Sequence, residues 1–194
     1  MHSRILRIFS TMLALSLLTT GVVIADNVTN SVGTGATVTI TNPNGAVGVS
    51  YTLVAANGDG GPGCNAAATK PVSIDILIPA GLTVTASPDP IVTTVCATSL
   101  PATFTASGIA ASQLGLLYNI GTLTTGGKGG TFNDSPSAWK LTFADVTAPS
   151  FTSFPAGITA EATSAAGAVV SYSAPVASDD WDGARPVTCS KGSG

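Results

Sequence analysis

The chain has 194 residues, 44% of them hydrophobic and only 9% charged, with seven Lys and Arg against ten Asp and Glu. An average globular domain carries roughly 25% charged residues, so Thr, Ser, Ala and Gly fill the surface positions that charges usually take. A net charge of −3 without any run of Lys or Arg excludes the concentrated positive charge that nucleic acid and anionic membranes require.

Residues 1–25 read as a secretory signal peptide. Arg4 and Arg7 form a basic n-region, residues 8–24 an apolar run, and Val23 and Ala25 the small residues of a V-x-A cleavage site before Asp26. An uncleaved anchor is the competing reading. The run is about 17 residues, at the lower limit for crossing ~30 Å of hydrocarbon. It is also diluted by Ser10, Thr11, Ser16, Thr19, Thr20 and Gly21. Either reading places the rest of the chain outside the cytoplasm, secreted or at the cell surface. Cleavage removes Arg4, Arg7 and the only histidine, His2, and leaves a net charge near −5. Asn27-Val28-Thr29 then fits a glycosylation sequon, as does Asn133-Asp134-Ser135 later, where Pro136 makes a poor acceptor.

Beyond the signal, apolar residues recur with a period of two and never in a sustained helical period. Val38 and Ile40 alternate with Thr37, Thr39 and Thr41, and Val47, Val49, Tyr51 and Leu53 share one face of the next stretch. Ile74, Ile76 and Ile78 lie opposite Ser73 and Asp75, Leu82 and Val84 opposite Thr83 and Thr85, and Trp139, Leu141 and Phe143 opposite Lys140 and Thr142. Turn clusters separate them: Asn42-Pro43-Asn44-Gly45, the Asn57-Gly58-Asp59-Gly60 run, Pro79-Ala80-Gly81 and Ser87-Pro88-Asp89-Pro90. Short alternating strands at this spacing predict an all-β chain folded as antiparallel sandwiches. Cys64 and Cys96 predict an intradomain disulfide in an exported chain, with a pair of free buried thiols as the alternative. Cys189 is left without a partner. Residues 121–130 carry glycines at the P-loop spacing, but Gly127 stands where the lysine belongs, so a flexible hairpin loop is expected there. The strand at 139–143 closes a first domain over 26–146, leaving 147–194 as a shorter unit.

That last unit resembles the opening of an HYR (hyalin repeat) domain. Asp145-Val146-Thr147-Ala148-Pro149 is similar to the family's D-x-T-x-P opening, and Pro155 with Ile158-Thr159 to its P-x-x-I-T segment. Gly167-Ala168-Val169-Val170-Ser171-Tyr172 resembles its G-A-x-V-x-Y strand, and Pro186-Val187-Thr188-Cys189-Ser190 its P-V-T-C-S motif, with Lys191 where proline is usual. The resemblance implies an immunoglobulin-like extracellular module associated with adhesion. It also implies that the F-x-x-G turn and the V-T-C-T-A-T-D strand, the expected source of a partner for Cys189, are missing. The module is thus expected to be incomplete and the chain a fragment of a longer product. The first domain resembles immunoglobulin-like domains of microbial surface proteins through Pro79-Ala80-Gly81-Leu82-Thr83-Val84-Thr85 and Ala102-Thr103-Phe104-Thr105-Ala106-Ser107. Two immunoglobulin-like sandwich modules, the second incomplete, are therefore expected after the signal.

The acidic turn Ser178-Asp179-Asp180-Trp181-Asp182-Gly183 offers hard oxygen ligands suited to calcium through Asp179, Asp180 and Asp182. It lacks the spacing and distal Glu of an EF-hand, and the simpler reading is a solvated turn whose Asp side chains bond local backbone. No other cofactor is suggested. With His2 gone there is no imidazole for a triad or general base, and Glu161 is the only glutamate. A non-catalytic structural or adhesive surface protein is therefore the expected function, with surface proteins or glycans as partners and the membrane reached only through an anchor. Accessory modules of a longer secreted enzyme are the alternative. A carbohydrate-binding module would need aromatics gathered on one face, and Trp139, Trp181 and Tyr172 are scattered.

Overall fold

A computed structural model describes residues 29–33, 35–55, 64–128 and 132–194. The signal segment 1–25, Asn27 and the turn at 57–63 lie outside the described residues. Within them the chain is all-β, with one 3-10 turn at Ala111–Gln113 and no α-helix.

Strands are numbered in chain order. One five-stranded sheet runs β5 (Val84–Ser87), β7 (Ser99–Ala106), β3 (Ala46–Ala55), β1 (Thr29–Gly33), β9 (Phe132–Asn133). The second runs β2 (Thr37–Ile40), β10 (Trp139–Phe143), β8 (Leu117–Gly126), β4 (Val72–Leu77), β6 (Ile91–Thr93). A third, three-stranded sheet has β12 (Val176–Asp179) between β11 (Ser150–Ser153) and β13 (Gly183–Arg185). The chain changes sheets at Gly35, which sits at φ +62, a backbone conformation that a Cβ disfavours. Gly35 N–H bonds Ala138 C=O at 2.9 Å, and β2 then enters parallel to β10 with Val38 beside Leu141 and Ile40 beside Phe143.

The two larger sheets face one another across a single core, as the alternation predicts. Tyr51, Leu53 and Phe104 from one sheet and Ile74, Ile120, Trp139, Leu141 and Phe143 from the other are buried. At the centre, Trp139 stands edge-on to Phe104 with centroids 5.4 Å apart and tilts against Tyr51 at 5.8 Å. Its indole N–H reaches across the sheets to Ser50 C=O at 3.0 Å, so the largest core residue leaves no unpaired donor. Each such side chain contributes about 1.5–3 kcal/mol through burial.

Cys64 and Cys96 form the expected disulfide, with Cα atoms 5.5 Å apart and a sequence separation of 32. It ties the β3–β4 connection to the β6–β7 connection. Closing a loop of that length contributes about 3–4 kcal/mol in the chain-entropy account.

Two expectations need correction. The segment at 121–130 is not a free loop along its length: residues through Gly126 continue β8, paired with β4 from Val72 to Leu77. β-branched Thr122 and Thr124 turn inward and are buried, so they serve as strand residues. Gly127 N–H then bonds Pro71 C=O and Lys128 N–H bonds Asn65 C=O, both at 2.9 Å, which pins the start of the turn. The second correction is at 167–172, which resembled a strand motif but forms no strand. Its ties outside the turn at Gly167 include those to the terminal residues, such as Gly194 N–H to Val170 C=O and Tyr172 N–H to Ser193 Oγ.

Candidate metal centre

The sequence put three candidate ligands, Asp179, Asp180 and Asp182, on one turn, and the fold separates them. β12 ends at Asp179 and β13 begins at Gly183, so the acidic turn is the tip of a hairpin with Asp179 paired to Gly183. Asp179 Oδ1 accepts the backbone N–H of Trp181 at 2.9 Å and of Asp182 at 3.2 Å. This is the local backbone bonding expected of a simple turn. The turn is only partly solvated, however. Trp181 is 8% exposed and joins the sandwich core beside Phe143, with centroids 6.3 Å apart. Its indole N–H donates to Thr41 C=O at 3.3 Å, and Asn42 Nδ2 donates to Asp180 Oδ2 at 3.0 Å. The hairpin tip is therefore seated on the β2 end of the sandwich.

This seating brings Asp145 into the group and leaves Asp182 out. Carboxylate oxygens of Asp145, Asp179 and Asp180 all lie within 4.8 Å of one another. Asp145 follows β10 and is held by accepting the Thr147 N–H at 3.0 Å. Asp182 instead pairs with Arg185 at 2.9 Å, the one ion pair found among the described residues. Among the described residues no lysine or arginine pairs with the three clustered carboxylates. At that separation each pair repels by about 1 kcal/mol in bulk water and about 3.5 kcal/mol at an effective dielectric of 20. Asp179 adds a second cost: it is 8% exposed, and its Oδ2 is buried without a hydrogen-bond partner. Leaving such an acceptor unmade costs about 1–3 kcal/mol, more when it is charged.

The sequence reading missed Asp145. It opens the D-x-T-x-P motif, 34 positions before Asp179, and no local spacing links the two. The signal available was the pair of motifs at either end of the short unit, each carrying an unexplained aspartate.

The remaining candidates fall elsewhere. Asn133 is exposed at β9, while the neighbouring Asp134 turns back to accept Thr124 N–H at 3.0 Å and Thr124 Oγ1 at 2.6 Å. Asp89 accepts the Ile76 N–H at 2.9 Å, extending the edge of β4 past the end of β6. Cys189 is a free, exposed thiol near Tyr172. Partial desolvation, and then the hydrogen bond and charge of Cys189, push the Tyr172 phenol above its ordinary value. Both tryptophans are buried, so neither offers a flat face to a sugar.

Comparison with known proteins returns no match to a family model, a curated protein or a solved structure.

Proposed function

We propose that this chain is a secreted or cell-surface structural protein, adhesive and non-catalytic, made of immunoglobulin-like modules of which the second resembles an HYR domain. The observation that carries the reading is the strand order of the two large sheets. β1, β3, β7 and β5 lie side by side in one sheet, and β4, β8 and β10 side by side in the other. An immunoglobulin constant-type domain arranges its A, B, E, D and C, F, G strands in the same two orders. Three features depart from that pattern. β6 follows β5 in the chain yet pairs with β4, the disulfide joins connections rather than facing strands, and the core tryptophan sits on β10.

For the second module the support is the ordered run of motifs from Asp145 to Ser190. The exposed Phe151 on β11 and Val176 on β12 fit a sheet whose apolar side chains are not covered, and Phe154, Ile158 and Val169 are exposed outside it. Adhesion enters through the family resemblance, since fold alone does not assign activity. Direct seating of the third sheet on the sandwich suits a protein that spaces or presents a surface.

Expression of the full chain in a secreting host tests the reading. Export with cleavage after Ala25 is expected to yield mature protein beginning at Asp26. That protein, immobilised on beads, is expected to retain cell-surface proteins or glycans. Retention in the cytoplasm, or hydrolysis of glycosidic, ester or peptide substrates by the pure protein, would contradict it.

A further inference from the structure

We propose that Asp145, Asp179 and Asp180 bind a divalent cation of the calcium class, and that this ion clamps the hairpin tip of the third sheet to the end of the sandwich. The proposal does not depend on the adhesive reading, because the site is defined by the packing of the chain on itself.

Two independent observations carry it. The first is convergence: one carboxylate comes from the segment leaving β10 and two from the β12–β13 hairpin, yet their oxygens lie within 4.8 Å of one another. Like charges brought together from distant parts of a chain separate unless something offsets them, and among the described residues no basic side chain pairs with these three. The second is the buried Oδ2 of Asp179, which has no hydrogen-bond partner although Oδ1 of the same group is held by two backbone N–H groups. A carboxylate fixed on one oxygen and bare on the other is preorganised to ligate.

The all-carboxylate donor set suits calcium, and three oxygens within 4.8 Å of one another can share one such ion. Oxygens on opposite sides of a calcium ion lie about 4.6–5.2 Å apart, given ligand distances of about 2.3–2.6 Å. Magnesium draws its ligands to about 2.0–2.1 Å in a strict octahedron, and zinc favours nitrogen and sulfur donors. Asp145 and Asp180 are exposed, so water has access to complete a shell of six to eight oxygens. A cation there neutralises the three charges and bridges the sandwich's outgoing strand to the hairpin that carries Trp181. It therefore strengthens the same joint that the indole makes.

Calorimetric titration of the full chain with calcium chloride tests this, with thermal unfolding followed in parallel. One ion per chain is expected, with a dissociation constant of about 10⁻⁴–10⁻³ M, the range of extracellular modules, and a rise in melting temperature with calcium. Asp145→Asn removes a ligand from an exposed position and is expected to weaken binding about tenfold or more. Asp182→Asn, which breaks only the exposed Arg185 pair, is expected to leave affinity within about twofold. Asp179→Asn is expected to lose binding altogether, but it also weakens the turn, so Asp145→Asn is the decisive variant. Absence of heat and of a thermal shift up to about 10 mM calcium, well above that affinity range, would overturn the proposal. So would an unchanged affinity in Asp145→Asn, a loss in Asp182→Asn as large as in Asp145→Asn, or equal binding of magnesium.

Discussion

The indole of Trp181 lies between two structural units, its ring against Phe143 and its N–H on Thr41 C=O. It comes from a turn where sequence reasoning expects a solvent-facing residue, and it is buried because the hairpin tip folds onto the end of β2. Replacing it with Ala removes the largest apolar contact of the C-terminal sheet. A loss of about 3 kcal/mol is expected for a nearly buried Trp, measured by denaturant unfolding followed through the remaining Trp139. Asp179 and Asp145 are the other informative residues. The acidic character of the turn was legible from composition, but the membership of the cluster was not. Asp182 is closer in sequence, yet it is the Asp145 carboxylate that joins the cluster, because the path of the chain after β10 decides which carboxylates meet.

Among the elements, strands with strict alternation were the most legible. Ile74 and Ile76, Trp139, Leu141 and Phe143, and Tyr51 and Leu53 all face the core as period two requires. β8 was harder to read because its inward residues beyond Ile120 are Thr122 and Thr124, which a hydropathy pattern scores as polar. By sequence the Gly126-Gly127 end of that strand suggests looseness, and packing gives the opposite meaning. Gly126 sits at φ +84, and a Cβ there would lie 2.7 Å from Pro71 C=O. Gly126→Ala is therefore expected to destabilise by about 2 kcal/mol or more, combining the left-handed backbone cost with a backbone clash. Gly157→Ala is the matched control: its φ is not positive and open space surrounds the added methyl, so its thermal midpoint is expected to stay near that of the parent.

At the scale of the whole molecule, the all-β class and the Cys64–Cys96 bridge follow from sequence because both depend on local pattern and compartment. The assignment of strands to sheets does not, since Gly35 sends β1 and β2 to different sheets without any change in composition. The same holds for the relation between the two units. Separate modules are expected from the motif at Asp145, yet the third sheet contributes Trp181 to the sandwich core, and Ala177 and Asp179 are its other buried residues. Most of its remaining apolar side chains, including Phe151 and Val176, are exposed. The stability of this sheet is thus tied to its seat, and the joint is the feature on which the proposed spacing role and the proposed cation site both depend.

Hydrogen exchange of the full chain, resolved to the peptide over 176–185, tests that joint most directly. The amides of Trp181 and Asp182, held by Asp179 Oδ1, are expected to exchange slowly in the parent. In Trp181→Ala they are expected to exchange much faster while β3, β8 and β10 keep their protection. Exchange of Trp181 and Asp182 at unstructured-chain rates in the parent protein would contradict the account.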